Sequence, residues 1–291
     1  MQYRNLGRSD LSVSQIGMGC VTFGREVNPQ SSLSIMDHAF ELGITLFDTA
    51  EAYAAGESER VVGEWMHSRK TRDKIVLATK INGTLTRQRI IASAEASLKR
   101  LKTDYIDLLQ THVWDDLTPF AETLEALTSL VNAGKVRHIG CSNYSGLQLA
   151  RALSLSRTAG LSRMISVQPP YNLVQRGIET DLLPLCAAEN IGVISYSPLA
   201  AGFLTGKYRR GAAIPAGTRF DVIPAHQEIY FTEHGYQVLT QLDQEVATTN
   251  RSHAELALSW VLRQPGITSV LIGARNEQQI HQAIESVNRV H

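Results

Sequence analysis

Cysteine is scarce in this chain of 291 residues. Only Cys20, Cys141 and Cys186 occur, too few and too scattered for a disulfide framework, and a reducing compartment is the matching expectation. An excess of charge is missing as well, since 28 Lys and Arg balance 28 Asp and Glu. That balance offers no general attraction to nucleic acid or to a membrane surface. No apolar run approaches the ~20 residues that cross a bilayer, and the opening residues lack the cation-then-apolar order of an export signal. Nine histidines are present, yet no pair has His-Glu-x-x-His spacing and no Cys-x-x-Cys appears, so no metal is expected. These absences lead to the expectation of a soluble, cytoplasmic protein, one domain over residues 1–291, with monomer and homo-oligomer both open.

What the chain does have is a 43% hydrophobic fraction, ample for one large core. Short apolar runs alternate with helix-length amphipathic segments, the pattern of repeated βα units. Residues 2–6 and 11–13 flank a polar turn and predict a hairpin that plugs the bottom of a barrel. Strands are predicted at 16–19, 45–47, 75–79, 105–110, 136–140, 165–167, 191–196 and 269–272. Helices are predicted at 31–42, 58–67, 86–101, 120–132, from 146, and at 178–189, 236–247, 252–263 and 277–287. In the third helix Ile90, Ala94, Leu98 and Leu101 recur at helical spacing. Gly134 signals a helix end, and Ser252 with Glu255 forms a capping box. Residues 197–233, rich in Gly, Pro and Arg, predict a long irregular connection, a length that usually marks function. Eight βα units give an α/β fold of the (β/α)8, or TIM-barrel, kind. It carries the hairpin plug and two extra helices before and around the eighth strand.

The most informative stretch is Phe47-Asp48-Thr49-Ala50-Glu51-Ala52-Tyr53. An apolar run ends in a carboxylate, and a tyrosine follows in a loop of small residues. Lys80 closes the next apolar run and His112 the one after that. Three successive strands thus deliver titratable groups from one end, as active sites on the C-terminal face of parallel barrels are built. A free phenol has a pKa near ~10 and is a poor acid at neutral pH, but a nearby ammonium lowers that value. An aspartate that holds the lysine keeps the cation charged and fixed. The expected result is a Tyr53 able to give or take a proton near physiological pH, with His112 orienting a carbonyl oxygen. Singly, each residue has a plainer reading. Asp48 could cap a loop, Tyr53 could be packed, Lys80 could sit in a structural ion pair and His112 could be a core histidine. Their joint placement on one rim outweighs those readings.

The set Asp48, Tyr53, Lys80 and His112 resembles the catalytic tetrad of the aldo-keto reductase family. Phe47-Asp48-Thr49-Ala50, with Tyr53 and Gly56-Glu57-Ser58-Glu59, is similar to that family's first signature. Gly134-Lys135-Val136-Arg137-His138-Ile139-Gly140-Cys141-Ser142-Asn143-Tyr144 resembles its fifth-strand motif. Ser195 to Ala200, with Gly202, Leu204, Thr205, Gly206 and Lys207, resembles its seventh-strand loop. The resemblance runs over nearly the whole chain and implies a small carbonyl or alcohol substrate with NADPH/NADP+ as cofactor. It implies no Rossmann domain, and no Gly-x-Gly-x-x-Gly opens a βαβ unit here.

The resemblance further implies that Ser142, Asn143 and Gln168 hold the nicotinamide carboxamide and that Tyr196 stacks on its ring. Gly19 and Cys20, ending the first barrel strand, would also lie beside the cofactor. By the same resemblance Ser197, Pro198, Leu199, Gly202, Leu204, Thr205 and Lys207 hold the pyrophosphate. Gly273, Arg275 and Gln279 would meet the adenosine end, with Arg219 closing over it. A planar cation at a helix start suits a phosphate dianion, so NADPH is expected over NADH. One departure stands out. Gln282 and Ala283 stand where the family often has Glu-Asn, which alters the adenine contacts. Val21, Phe23 and Trp114 are expected to wall the substrate site.

Three functions compete. A carbonyl reductase uses all four tetrad residues. A cofactor-binding, redox-sensing regulatory subunit would need the binding residues without much turnover. A Schiff-base aldolase would use Lys80, but Asp48 beside it raises the very pKa such a lysine needs lowered.

Overall fold

The computed structural model describes residues 1–288. Two short strands, β1 (Tyr3–Asn5) and β2 (Ser12–Ser14), pair antiparallel. Eight more close into a parallel barrel: β3 (Ile16–Gly19), β4 (Leu46–Asp48), β5 (Val76–Ile81), β6 (Ile106–Thr111), β7 (Val136–Ser142), β8 (Met164–Gln168), β9 (Gly192–Ser195) and β10 (Ile267–Ile272). The helices α1 (Pro29–Glu41), α2 (Glu57–Arg69), α3 (Arg87–Leu101), α4 (Phe120–Asn132), α5 (Gly146–Ala159) and α6 (Leu182–Glu189) follow the strands from β3 to β8. After β9 come two single turns, α7 (Arg219–Val222) and α8 (Gln227–Tyr230), then α9 (Glu233–Thr248) and α10 (His253–Arg263). The described chain ends in α11 (Glu277–Asn288) after β10. The (β/α)8 barrel, its N-terminal hairpin and the extra helices before β10 are therefore present as the sequence predicted.

Local chemistry explains where the helices start and stop. Asn28 caps α1, its side-chain oxygen accepting the Ser31 N–H at 2.9 Å, with Pro29 in the first turn where a missing N–H does no harm. Ser145 with Gln148 and Ser252 with Glu255 form capping boxes at α5 and α10. Gly134 follows α4 at φ +70°, the left-handed turn in which a glycine carries no steric penalty.

Period-two alternation divides each strand between the helices and the barrel interior. Phe47, Leu77 and Leu109 face the outer layer. Leu46, Val76, Ala78 and Leu108 fill the lower interior together with Leu6, Leu11 and Val13 from the hairpin. The hairpin seats closely enough to demand glycine on both sides. A Cβ on Gly7 would lie 2.5 Å from the Ile165 carbonyl, and one on Gly192 would lie 2.5 Å from Leu6 Cδ1. Polar contacts clasp it from outside. Asp10 accepts from Arg137 Nη2 at 2.6 Å and meets His138 Nε2 at 2.7 Å. Arg137 in turn reaches the buried Asp107, which also pairs with Arg72 at 2.7 Å. Asp107 is thus a structural carboxylate at the bottom of the barrel.

Two segments depart from the sequence reading. The helix expected over 178–189 is broken. A 3-10 turn at Gly177–Glu179 precedes α6, because Asp181 leaves helical angles at φ −134°. Residues 197–233 are not an irregular loop throughout. They contain the turn Ala200–Thr205 and the turns α7 and α8, built on an aromatic core of Phe203, Tyr208, Phe220 and Tyr230 packed against α9 and α10. Among the described residues no helix is long and apolar enough to cross a membrane.

Candidate active site at the carboxyl rim

Alternation places the interesting side chains. The interior positions Leu46, Ala78 and Leu108 are each followed two residues later by Asp48, Lys80 and Gln110, so the barrel lumen turns from apolar to polar near its carboxyl end. Asp48 lies opposite Ala78, and Lys80 lies opposite Gln110, so Lys80 stands one rung above the aspartate. His112 follows β6, its N–H donating to the Ile81 carbonyl at 2.8 Å. Tyr53 opens a 3-10 turn, Tyr53–Gly56, in which Ala54, Ala55 and Gly56 all have positive φ of 49°, 53° and 86°. That left-handed run turns the chain sharply over the barrel mouth, and only small residues tolerate it.

The four residues come together. Lys80 Nζ donates to Asp48 Oδ1, to the Thr49 carbonyl at 3.0 Å and to the Tyr53 hydroxyl at 3.3 Å. The Lys80 and Asp48 side chains are 0% and 2% exposed, so this ion pair sits out of water. Asp48 Oδ2 is held separately, by Gln168 Nε2 at 2.8 Å and Gln110 Nε2 at 3.2 Å. The rings of Tyr53 and His112 meet edge to face with centroids 5.8 Å apart. Gln110 was not singled out in the sequence. A polar residue closing an otherwise apolar strand, two positions before His112, is the signal that could have found it.

Titration behaviour follows from burial and charge. Burial works against the Lys80 ammonium, but Asp48 and then Tyr53 outweigh it, and its pKa stands above the ordinary lysine value. His112 is pushed down to about 4, by burial first and by Lys80 second, so it is neutral at pH 7. Its Nδ1 is buried with no hydrogen-bond partner among the described residues. Tyr53 departs from expectation. Burial raises its pKa and Asp48 adds to that, more than Lys80 pulls it down, so the free protein holds a protonated phenol well past neutrality. Desolvation of the phenolate, invisible in motif spacing, outweighs the ammonium beside it.

Further candidates follow from this cluster at the carboxyl ends of β7 to β10. Asn143, at φ +58°, accepts from the Tyr196 hydroxyl at 2.8 Å and donates to the His112 carbonyl at 2.9 Å. Ser142 Oγ donates to the Gln168 carbonyl at 2.8 Å, so Ser142, Asn143, Gln168 and Tyr196 form one polar patch beside the ion pair. After β9, Ser197, Ala200, Ala201, Gly202 and Gly206 all take positive φ, with Pro198, Leu199, Leu204 and Thr205 between them. Within this turn the Ala200 N–H donates to the Ser197 carbonyl at 2.9 Å, and those of Gly202 and Leu204 donate to the Leu199 carbonyl at 2.9 and 3.2 Å. Lys207 and Arg275 crowd the same region, and burial together with Arg275 lowers the Lys207 pKa. The Arg275 N–H donates to Gln279 Oε1 at 2.8 Å, and its guanidinium reaches the Gly217 carbonyl at 2.9 Å. Arg219 pairs with Glu26 at 3.1 Å, tying the segment after β9 to the loop after β3. Gly273 has open space where a Cβ would stand, leaving room against its backbone.

The remaining candidates are placed differently from one another. Gly19 is half-buried at the end of β3. Cys20 is fully buried, its N–H donating to the Asp48 carbonyl at 2.8 Å, and burial drives its thiol far above the ordinary range. Val21 is half-buried at the rim, whereas Phe23 is wholly inside the core. Trp114 stacks on Phe120 at 4.7 Å and meets Tyr144 edge-on, forming an aromatic ledge beside His112. A surface cavity of about 530 Å³ between α2 and α3 lies elsewhere. Of the cations lining it, Arg60, Arg100 and Lys102 pair with Glu57, Glu59 and Glu64, and Lys99 stands beside them.

Comparison with known proteins agrees with this architecture. A family model described as the aldo/keto reductase family matches residues 15–290. The chain belongs to that family of oxidoreductases. It is 35% identical over 305 residues to the "Probable voltage-gated potassium channel subunit beta" of Arabidopsis thaliana, covering 99% of this chain and 92% of that one. It is 34% identical to the "Uncharacterized oxidoreductase YrpG" of Bacillus subtilis, over 99% and 91% of the two chains. It is 35% identical to the "Aldo-keto reductase YhdN" of Bacillus subtilis, over 98% and 88%.

Proposed function

We propose that this chain is an NADPH-dependent reductase of aldehydes or ketones, running in reverse as an alcohol or aldose dehydrogenase, with Tyr53 as its acid/base group. The observation that carries this reading is the buried Lys80 ammonium held between Asp48 and the Tyr53 hydroxyl. The side chains at the ends of β7 to β10 support a nicotinamide cofactor in this reading. Ser142, Asn143 and Gln168 suit its carboxamide, and Tyr196 offers a face to its ring. The positive-φ backbone from Ser197 to Gly206, with Lys207, suits its pyrophosphate. Gly273, Arg275 and Gln279 suit the adenosine end, where the guanidinium of Arg275 favours a 2′-phosphate.

When bound, the cofactor supplies hydride to the carbonyl carbon or receives it from the alcohol. The chain's own residues manage the proton. Tyr53, protonated through the neutral range, donates to the carbonyl oxygen as negative charge develops there. Lys80 stabilises the phenolate left behind, and Asp48 keeps Lys80 in place. Neutral His112 donates an N–H to the same oxygen and orients it. In reverse, the Tyr53 phenolate takes the alcohol proton. Val21 and Trp114 line the approach, and a small-molecule substrate in a cytoplasmic setting belongs to the same proposal. The test is a panel of aldehydes, ketones and aldoses assayed with both nicotinamides. Turnover of a carbonyl with NADPH ahead of NADH supports the reading. NADPH binding without turnover of any of them removes it.

A second reading takes its support from the relatives named as probable potassium channel subunits. On it the chain is a nicotinamide-binding regulatory subunit with little turnover. All four tetrad positions are filled, which weighs for the enzyme. The Schiff-base alternative loses ground, because Lys80 stands above the ordinary lysine pKa rather than below it.

A further inference from the structure

Asp48 is the anchor of the site, and its two oxygens are held by different groups. Oδ1 takes Lys80. Oδ2 takes two side-chain amides, Gln168 Nε2 at 2.8 Å and Gln110 Nε2 at 3.2 Å, while Gln110 Oε1 lies 3.4 Å from Gln168 Nε2. A carboxylate only accepts, so each amide must turn its NH2 toward Asp48, and the orientation of both glutamines is fixed by chemistry. Gln110 is 0% exposed and lies beside Lys80 in the strand register, beneath the mouth of the barrel. It is therefore out of reach of a substrate and acts only on its neighbours.

The two amides differ in what else they do. Gln168 belongs to the polar patch assigned above to the nicotinamide carboxamide, and its Oε1 stays free to accept from that group, whereas Gln110 bonds only to its buried neighbours. A buried carboxylate oxygen stripped of donors is costly, and an unanchored Asp48 lets Lys80 move. We propose that Gln110 is a positioning residue for the reduction, a donor that holds Asp48 Oδ2 in place and takes no part in cofactor binding. The inference rests on the reductase reading for its consequence in turnover, though not for the contact itself. It adds a second side chain to those that hold the ion pair beneath Tyr53. The charged and titratable groups facing Tyr53 there are Lys80, Asp48, His112, Cys20 and Tyr196.

Gln110→Met keeps the volume and removes the amide. A lost hydrogen bond to a charged group corresponds to about a 10- to 100-fold fall in kcat, with KM and NADPH affinity within about twofold of wild type, since Gln110 touches neither ligand. Without its N–H, more of the Asp48 charge bears on Tyr53, so the Tyr53 ionisation moves to higher pH. That shift is read by carbon-13 tyrosine NMR, assigned with Tyr53→Phe, and needs no turnover. In an Asp48→Asn background the Gln110→Met step should cost little more, because the effect passes through that carboxylate. A folded Gln110→Met protein with unchanged kcat and unchanged Tyr53 titration overturns the proposal. So does an equal loss in the Asp48→Asn background. If wild type reduces nothing, the reductase reading fails, and the Tyr53 titration still decides the role of Gln110. If Gln110→Met does not fold, Gln110→Glu carries the test. Its carboxyl donates only while protonated, so the Tyr53 titration and kcat should depend on its ionisation. Wild-type behaviour at every pH contradicts the proposal.

Discussion

Lys80 Nζ lies 3.3 Å from the Tyr53 hydroxyl and 5.0 Å from the centroid of its ring, so the buried cation meets the oxygen end of that side chain. The ammonium nevertheless fails to make the phenol acidic in the free protein, because burial acts more strongly in the other direction. The consequence is a directional pH dependence. Reduction needs the protonated phenol and should hold level across the neutral range, falling only in alkali as Tyr53 ionises. Alcohol oxidation needs the phenolate and should rise over that same alkaline range. Initial rates in both directions from about pH 6 upward check this. A reduction rate falling through neutrality contradicts it.

Lys80→Met should damage the protein twice over. Catalysis loses the cation that stabilises the phenolate, and Asp48 stays buried with only amide partners. Breaking a buried pair from one side costs about 3–5 kcal/mol. Urea titration should show that loss for Lys80→Met and recover much of it for the double variant Asp48→Asn with Lys80→Met. The rate, by contrast, should recover in neither.

Arg275→Ala separates the two nicotinamides. The guanidinium matters to a 2′-phosphate and has nothing to grip on NADH. NADPH affinity should fall by about 10- to 100-fold, with NADH affinity nearly unchanged. Fluorescence titration of both cofactors measures this, and equal weakening argues against a 2′-phosphate contact.

His112 should leave a mark on acid stability. Its folded pKa, about 4, lies below the ordinary histidine value of 6.5. The unfolded chain therefore takes up the proton first as pH falls. The stability tied to a neutral His112 is complete above pH 6.5 and is lost as pH drops toward 4. Relative to His112→Gln, the wild-type protein should lose stability across that window and no further below it. Parallel curves for the two proteins would show that His112 does not carry the shift.

The sequence made some of this legible for clear reasons. Asp48, Lys80 and His112 each end or follow an apolar run, and a run that ends in charge marks the rim of a parallel barrel. The alternation of strands and helices located all eight barrel strands, with ends off by one or two residues where strands fade into loops. Gln110 stayed hidden because its partner Asp48 is 62 residues away, and only the closed barrel makes them neighbours. The short aromatic core of Phe203, Tyr208, Phe220 and Tyr230 was invisible for a related reason. Its members are spread through a segment whose Gly and Pro content reads as loop. The pKa of Tyr53 was misjudged because a nearby charge can be read from motif spacing, while the depth of burial opposing it cannot.

The central claim is that the Tyr53 hydroxyl delivers the proton. Tyr53→Phe removes that single oxygen and keeps the ring that packs against His112. Measured by kcat for carbonyl reduction alongside NADPH affinity, the account expects a loss of about 10²- to 10⁴-fold with cofactor binding near wild type. A Tyr53→Phe protein that reduces its substrate at the wild-type rate contradicts it.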